Sequence, residues 1–255
     1  MNEDPWLRLK GFTAARIGLG RTGASLPTRE VLAFSMAHAQ ARDAVRRPMD
    51  WAPLESGLAA LQLATVRIAS RATERDIYLR RPDLGRRLDD ASRSALASVA
   101  GARPALLLII GDGLSSTAVS TNALPLVAAL LPHMEGMGMD PGTVLLAAQA
   151  RVGLADEAGG LLQAHASLML IGERPGLSSP DSLGAYLTWE PRVGRHDGER
   201  NCVSNIRTGG LSHAEAAFRI AWLLRESFRR RLSGVALKDE SQYELAAPVA
   251  AERLT

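Results

Sequence analysis

The spacing of hydrophobic positions changes near Pro104. Before it, apolar residues recur at helical intervals. Residues 29–47, introduced by Pro27 and Thr28 and closed by Pro48, predict a helix with Thr28 as its N-cap and Leu32, Met36 and Ala39 on one face. Residues 83–99, after Pro82, predict a second helix. Beyond Pro104 the texture is different. Residues 105–110, 143–148 and 167–171 are continuous apolar runs, the pattern of strands covered on both faces, with an amphipathic stretch at 155–163. Strand, loop, helix, strand in this order predicts an α/β fold, a Rossmann-like parallel sheet flanked by helices and preceded by a mainly helical N-terminal region. The corresponding division is 1–103 and 104–255.

The last helix has the clearest local signals. Ser212 and Glu215 form an S-x-x-E capping pattern, and Ala217, Ile220, Ala221, Leu224 and Phe228 repeat at helical spacing. Arg229, Arg230 and Arg231 crowd its C-terminal end, where the helix dipole favours cations, and Gly234 is the expected stop.

Composition narrows the class. Hydrophobic residues at 46% and charged residues at 22% are ordinary for a soluble globular protein. No run approaches the roughly 18 apolar residues of a membrane span. The first ten residues carry acids before a base and no apolar core, so no secretory signal is expected. A single cysteine cannot form an internal disulfide, which fits a reducing cytoplasm. The pI of about 9.5 suggests nucleic acid at first sight. However, the net charge is only +3, acids are interleaved with the arginines, and aromatics are 4%, so no stacking set exists and nucleic-acid binding is excluded. All the basic residues except Lys10 and Lys238 are arginine, which suits bidentate pairing at protein interfaces.

Candidate chemistry gathers where strands end. Gly111-Asp112-Gly113-Leu114-Ser115-Ser116 stands where a dinucleotide-binding protein carries G-x-G-x-x-G, but Ser116 replaces the third glycine and no phosphate-loop lysine follows. It reads either as a strand-to-helix turn or as a ligand-facing loop at the carboxyl edge of the sheet. Glu173 follows a buried strand directly, where a carboxylate needs donors; an ion pair and a ligand contact are equally compatible with it. Cys202, in the β-like run 201–206, reads as a nucleophile, a metal ligand or a small buried hydrophobe. A nucleophile needs an activating base and zinc needs further ligands, and neither stands in a recognised pattern beside it. The buried hydrophobe is therefore the expectation.

Several blocks in order carry a family resemblance: F-T-A-A-R-I-G-L-G-R-T-G-A-S-L-P-T at 12–28 and L-A-F-S-M-A-H-A-Q-A-R-D-A-V at 32–45, then Y-L-R-R-P-D-L-G-R-R-L at 78–88, I-I-G-D-G-L-S-S-T-A-V at 109–119 and R-V-G-L-A-D-E at 151–157. The last block pairs I-G-E-R-P-G-L-S-S-P-D-S-L-G-A-Y-L-T-W at 171–189 with E-R-N-C-V-S-N-I-R at 199–207. Together they resemble the small (light) subunits of ethanolamine ammonia-lyase. Only about a dozen residues precede the first block, where some family members carry a longer extension. The resemblance implies a radical enzyme that uses adenosylcobalamin to convert ethanolamine to acetaldehyde and ammonia. It implies a hetero-oligomer in which a TIM-barrel large (heavy) subunit holds the substrate and this chain forms one wall of the cobalamin site. Glu173, Val152 and Cys202 are then cofactor-binding: Glu173 by accepting from corrin amides, Val152 and Cys202 by packing or backbone contact. No catalytic residue and no metal ligand is implied on this chain. None of His38, His133, His165, His196 and His213 stands in the Asp-x-His-x-x-Gly motif, so the cofactor's own dimethylbenzimidazole is expected to stay on cobalt. The expected setting is cytoplasmic, with a bacterial microcompartment as the more specific alternative. A Rossmann-type nucleotide-binding enzyme and a cofactor-free interaction subunit are the competing readings.

Overall fold

The computed structural model describes residues 5–13, 15–98 and 103–246. Helices α1 (Pro5–Lys10), α2 (Thr28–Arg46) and α3 (Ala52–Ala60) precede strand β1 (Thr65–Ala69), and α4 (Arg75–Arg80) and α5 (Asp90–Ser98) precede β2 (Leu106–Gly111). Then α6 (Ser116–Gly136), β3 (Val144–Ala148), α7 (Leu154–Leu162) and β4 (Ala166–Gly172) alternate. Strands β5 (Leu183–Trp189) and β6 (Arg200–Ile206) and helices α8 (His213–Arg230) and α9 (Ser241–Ala246) complete the chain.

The strands form one sheet in the order β1-β3-β2-β4-β5-β6. The first four are parallel, but β5 runs antiparallel to β4 and β6 antiparallel to β5. The expected all-parallel, Rossmann-like sheet is therefore corrected to a mixed one. The reason is connection length. A parallel return needs a crossover of about a dozen or more residues, usually a helix. The links 173–182 and 190–199 contain no α-helix, so the chain can only turn back.

The N-terminal hundred residues also differ from expectation. The segment 65–69, T-V-R-I-A, is not helical but forms the edge strand β1, paired with β3. The helix expected over 83–99 is broken into a short 3-10 turn, Leu84–Arg86, and α5. The break has a cause: Asp89 donates its N–H to Ala69 and Leu88 donates its own to the Glu157 carboxylate, drawing this stretch onto the sheet. Val99 lies outside the described residues. Helix α2 begins with Thr28 in the helix and Pro27 at the cap, with no side-chain cap. Its expected core face is turned outward, with Leu32 64% and Met36 62% exposed, and only Ala44 of the helix is buried. In α8, Ser212 Oγ accepts from the Glu215 N–H as expected. The helix ends on Arg231 in left-handed conformation rather than at Gly234, and Arg229 and Arg230 both clasp Glu226.

Two cores flank the sheet unequally. One, built with α3, α6 and α8, reaches across every strand from Val144 to Leu183, Leu187, Val203 and Ile206. The other, built with α5 and α7, covers the parallel strands through Leu107, Ile109, Leu145 and Met169, and only Tyr186 of β5 packs against its rim. One face of β5 and β6 is left without a covering helix.

At the carboxyl edge, β4 meets the start of α6 almost backbone to backbone. Leu114 donates to the Gly172 carbonyl at 2.8 Å, and Gly113 sits at φ +58. A Cβ on Gly172 would overlap the Ser115 carbonyl and come within 2.8 Å of that of Asp112. Gly172→Ala is expected to destabilise the fold by roughly 3 kcal/mol through overpacking. Gly136→Ala, where a Cβ meets nothing within 4 Å, should stabilise by about 0.5–1 kcal/mol. Urea midpoints of the two variants test the contrast.

Candidate functional site

The bare face of β5 and β6 and the adjoining carboxyl ends of β2, β3 and β4 form one surface. Glu173, the residue after β4, lies over Gly184 of β5, where a Cβ would come within 2.9 Å of both Glu173 Oε1 and the Tyr186 ring. Its carboxylate accepts from Ser182 Oγ at 2.5 Å, Ser204 Oγ at 2.7 Å and the Asn205 N–H at 3.2 Å. The last two donors are aimed by an irregularity in the pairing of β6 with β5, where Asn205 has φ +60. The ion-pair alternative fails: among the described residues no basic side chain pairs with Glu173, and Arg174 is exposed. A carboxylate offers about four lone-pair directions, so Glu173 ties three strands together and keeps room for about one more N–H donor.

Val152 projects from the loop between β3 and α7 and is half-buried. It lines, with Glu173, Ile171, Tyr78 and Tyr186, a concavity of about 450 Å³. Tyr186 and Cys202 are paired opposite each other across β5 and β6. Cys202 is exposed, which overturns its expected role as a buried hydrophobe. Desolvation raises its thiol, the Tyr186 hydrogen bond opposes this, and the Glu173 charge adds to the rise. Burial likewise pushes the Tyr186 hydroxyl up, with Cys202 the next cause. Tyr186 thus stands beside both Glu173 and Cys202; Val152, Glu173 and Tyr186 line the same concavity, and Cys202 lies outside it.

The glycine loop both supports the surface and borders it, since Gly113 and Leu114 line the same concavity as Val152 and Glu173. Asp112 is buried and accepts from the Gln149 and Ala150 N–H groups at 3.0 Å each, which fixes the loop that bears Val152. Burial raises the Asp112 carboxyl, against those two amides and Arg75. Arg75 donates to the Val45 and Gly113 carbonyls, and its guanidinium lies 4.7 Å from the Tyr78 ring centroid, with Arg151 over the same ring at 4.3 Å. A Cβ on Gly113 would lie 2.2 Å from the Gly172 carbonyl, so this glycine is required by close packing of the loop on β4 whether or not a ligand approaches it.

A second concavity of about 450 Å³ adjoins the first and shares Arg151, Val152 and Tyr186 with it. Arg86, Arg87, Arg195 and Arg200 also line it. Arg200 is buried and holds Asp156 through two bonds at 2.5 and 2.8 Å. Arg195 pairs with Glu199 and donates to the Trp189 carbonyl. Of these residues, Tyr78, Arg75 and Tyr186 were not singled out from the sequence. Ser204 and Asn205 stood inside the quoted R-N-C-V-S-N stretch, and that was the available signal.

Comparison with known proteins gives a uniform answer. A family model described as "Ethanolamine ammonia-lyase light chain (EutC)" matches residues 3–238. A chain from Rhodopseudomonas palustris (strain BisA53) named ethanolamine ammonia-lyase small subunit is 55% identical over 238 residues, 93% of this chain and 91% of the relative. One of the same name from Pseudomonas aeruginosa (strain LESB58) is 51% identical over 245 residues, 95% of this chain and 90% of the relative.

Glu199, which pairs with Arg195, gives the fold a pH dependence of known sign. The His196 N–H, then Arg195, lower its carboxyl from 4.5 to about 2. Its contribution is present above about pH 4.5 and is lost as pH falls through about 2. The thermal midpoint of Glu199→Gln should therefore lie below wild type by a constant margin above pH 5, and the margin should shrink toward pH 2. The raised thiol of Cys202 makes a second expectation: at pH 8 iodoacetamide should alkylate it more slowly than a free cysteine, despite its exposure.

Proposed function

The chain belongs to the ethanolamine ammonia-lyase light-chain family, and from that premise we propose that it is the small subunit of an adenosylcobalamin-dependent enzyme, forming one wall of the cobalamin site while a large subunit holds the substrate. The observation that carries this reading is the open groove at the carboxyl edge of the sheet beside β5, lined by Glu173, whose carboxylate accepts three bonds and has room for about one more. The groove suits a flat, amide-fringed macrocycle. Two shallow connected concavities match half of a large ligand rather than a closed pocket for a small one. Val152, Ile171, Leu114 and the Tyr186 ring supply packing surface, and the remaining lone pair of Glu173 can accept an amide N–H.

When bound, adenosylcobalamin supplies the radical chemistry that turns ethanolamine into acetaldehyde and ammonia. The residues of this chain orient and shield it. Glu173 fixes rotation about the groove by taking an amide, Val152 and Cys202 pack at its edges, and none of them acts as acid, base or radical carrier. The raised thiol of Cys202 suits a contact that does no covalent chemistry.

The large subunit has a natural seat on the other exposed surface. Trp6, Leu9, Phe12, Leu26, Val31, Leu32, Phe34 and Met36 are all exposed, Phe12 by 88%. A 19-residue helix with one buried side chain has little packing of its own to hold it. We assign the N-terminal segment and α2 to that interface. The nucleotide-binding alternative is disfavoured by Ser116 in place of the third glycine and by the absence of a phosphate-loop lysine; the cofactor-free alternative is separated by experiment.

Reconstitution with the large subunit of a family member should give adenosylcobalamin-dependent release of ammonia from ethanolamine, with neither subunit active alone. Turnover by this chain alone would overturn the assignment. In the assembled complex, Glu173→Ala should weaken cobalamin binding about fivefold, the worth of one hydrogen bond of about 1 kcal/mol. Normal assembly with unchanged cobalamin affinity would favour the cofactor-free reading. Bound cobalamin should also slow alkylation of Cys202.

A further inference from the structure

Helix α2 is fastened to the sheet at its C-terminal end. Ala44, its one buried residue, lies there, and the carbonyls that follow are taken by donors from elements at the rim of the groove. Arg75 Nε, at the start of α4, donates to the Val45 carbonyl at 2.7 Å. Ser116 Oγ, at the start of α6, donates to the Arg47 carbonyl at 2.7 Å.

The Arg75 guanidinium also reaches the other way. Its Nη1 donates to the Gly113 carbonyl at 2.8 Å and to Gln149 Oε1 at 3.2 Å, and stands 3.8 Å from the Asp112 carboxylate. The head lies 4.7 Å from the Tyr78 ring centroid, and the Tyr78 hydroxyl donates to the Ala150 carbonyl. Arg75 therefore joins three segments distant in sequence: the end of α2, the glycine loop after β2 and the loop after β3. The fixed fork of a guanidinium allows this, because its nitrogens point in separate directions. Its Nη2 is buried without a partner among the described residues, a cost that the other bonds impose.

The loop it holds carries backbone strain. Gln149 has φ +52, in the left-handed region that residues with a Cβ seldom adopt. Such a conformation persists only where its surroundings over-determine it. The Gln149 N–H donates to Asp112 Oδ2 at 3.0 Å, its carbonyl accepts from Ser70 Oγ at 2.7 Å, and its side-chain oxygen accepts from Arg75. Val152, three residues on, borders the groove.

We propose that Arg75 is a positioning residue that transmits the docking of α2 to the 149–152 loop, so that this wall of the groove is set when the large subunit is seated. The inference rests on the assignment of α2 to the large-subunit interface and adds a consequence to it. With little packing of its own, α2 keeps its end still when a partner covers it, and a still Val45 carbonyl holds Arg75 on Gly113 and Gln149. Coupling of this kind is reciprocal, so the loop's hold on Arg75 also favours docking.

The test compares amide hydrogen exchange in the full chain alone and in its complex with the large subunit of a family member, both without corrinoid. In wild type, assembly should slow exchange in α2 and should slow the Gln149 and Ala150 amides about fivefold, the scale of one hydrogen bond. Arg75→Gln should still assemble, with α2 protected, but the slowing at 149–150 should fall to within about twofold. Arg75→Lys keeps the charge beside Asp112 and Tyr78 and replaces the fork with a single ammonium. It should keep a near wild-type urea midpoint and lose the same protection, which separates loss of coupling from loss of fold. In assays of the complex, both variants should raise KM for adenosylcobalamin about fivefold and leave KM for ethanolamine within about twofold. Equal slowing at 149–150 in wild type and both variants would overturn the proposal, since the large subunit would then shield the loop directly. Slowing at 149–150 with no change in α2 would overturn it at its premise, taking α2 out of the interface while the family partnership stands. A wild-type chain that forms no complex would overturn it together with that partnership.

Discussion

Two short connections decide the shape of this molecule. Residues 173–182 and 190–199 are too short and too irregular to carry a crossover helix, so β5 and β6 must turn back antiparallel and no helix follows either of them on the α5–α7 side. The other face has α6 and α8 to cover it, and there the core runs unbroken to β6. On the bare side the sheet itself becomes the floor of a groove. Tyr186, Cys202 and Arg200 stand on the two strands that no helix covers on this side.

Glu173 shows how one side chain can tie separate strands together. Its carboxylate is a common acceptor for donors from the start of β5 and from β6, and the missing side chain of Gly184 makes space for it. A bulge near Asn205 turns two of those donors toward it. Asp112 does the same beneath the β3–α7 loop, with Arg75 and Tyr78 reaching in from α4. The first hundred residues therefore belong to the site as much as the sheet does.

The parallel strands were legible because their signal is composition alone: L-L-L-I-I-G has no polar residue to hide, and burial on both faces follows. The capping serine of α8 was legible for a similarly local reason. β1 was not, because T-V-R-I-A is short and its evidence is its partner β3, nearly eighty positions later. The outward face of α2 could not be read either, since periodicity reports that a helix has an apolar side but not what covers it. For the candidate site, the motifs around Glu173 and Cys202 are brought near one another by the pairing of β5 with β6, with Tyr186 between them. They did not reveal that Glu173 is hydrogen-bonded rather than ion-paired, because that depends on a bulge in another strand.

The two exposed surfaces differ in how they tolerate water. The β5–β6 face alternates hydroxyls, a thiol and guanidiniums, so it is wetted readily and nothing drives it to stay covered. Trp6, Phe12, Leu32 and Met36 have no such recourse. One chain thus carries a surface that can stand bare in water and another that gains most by being covered.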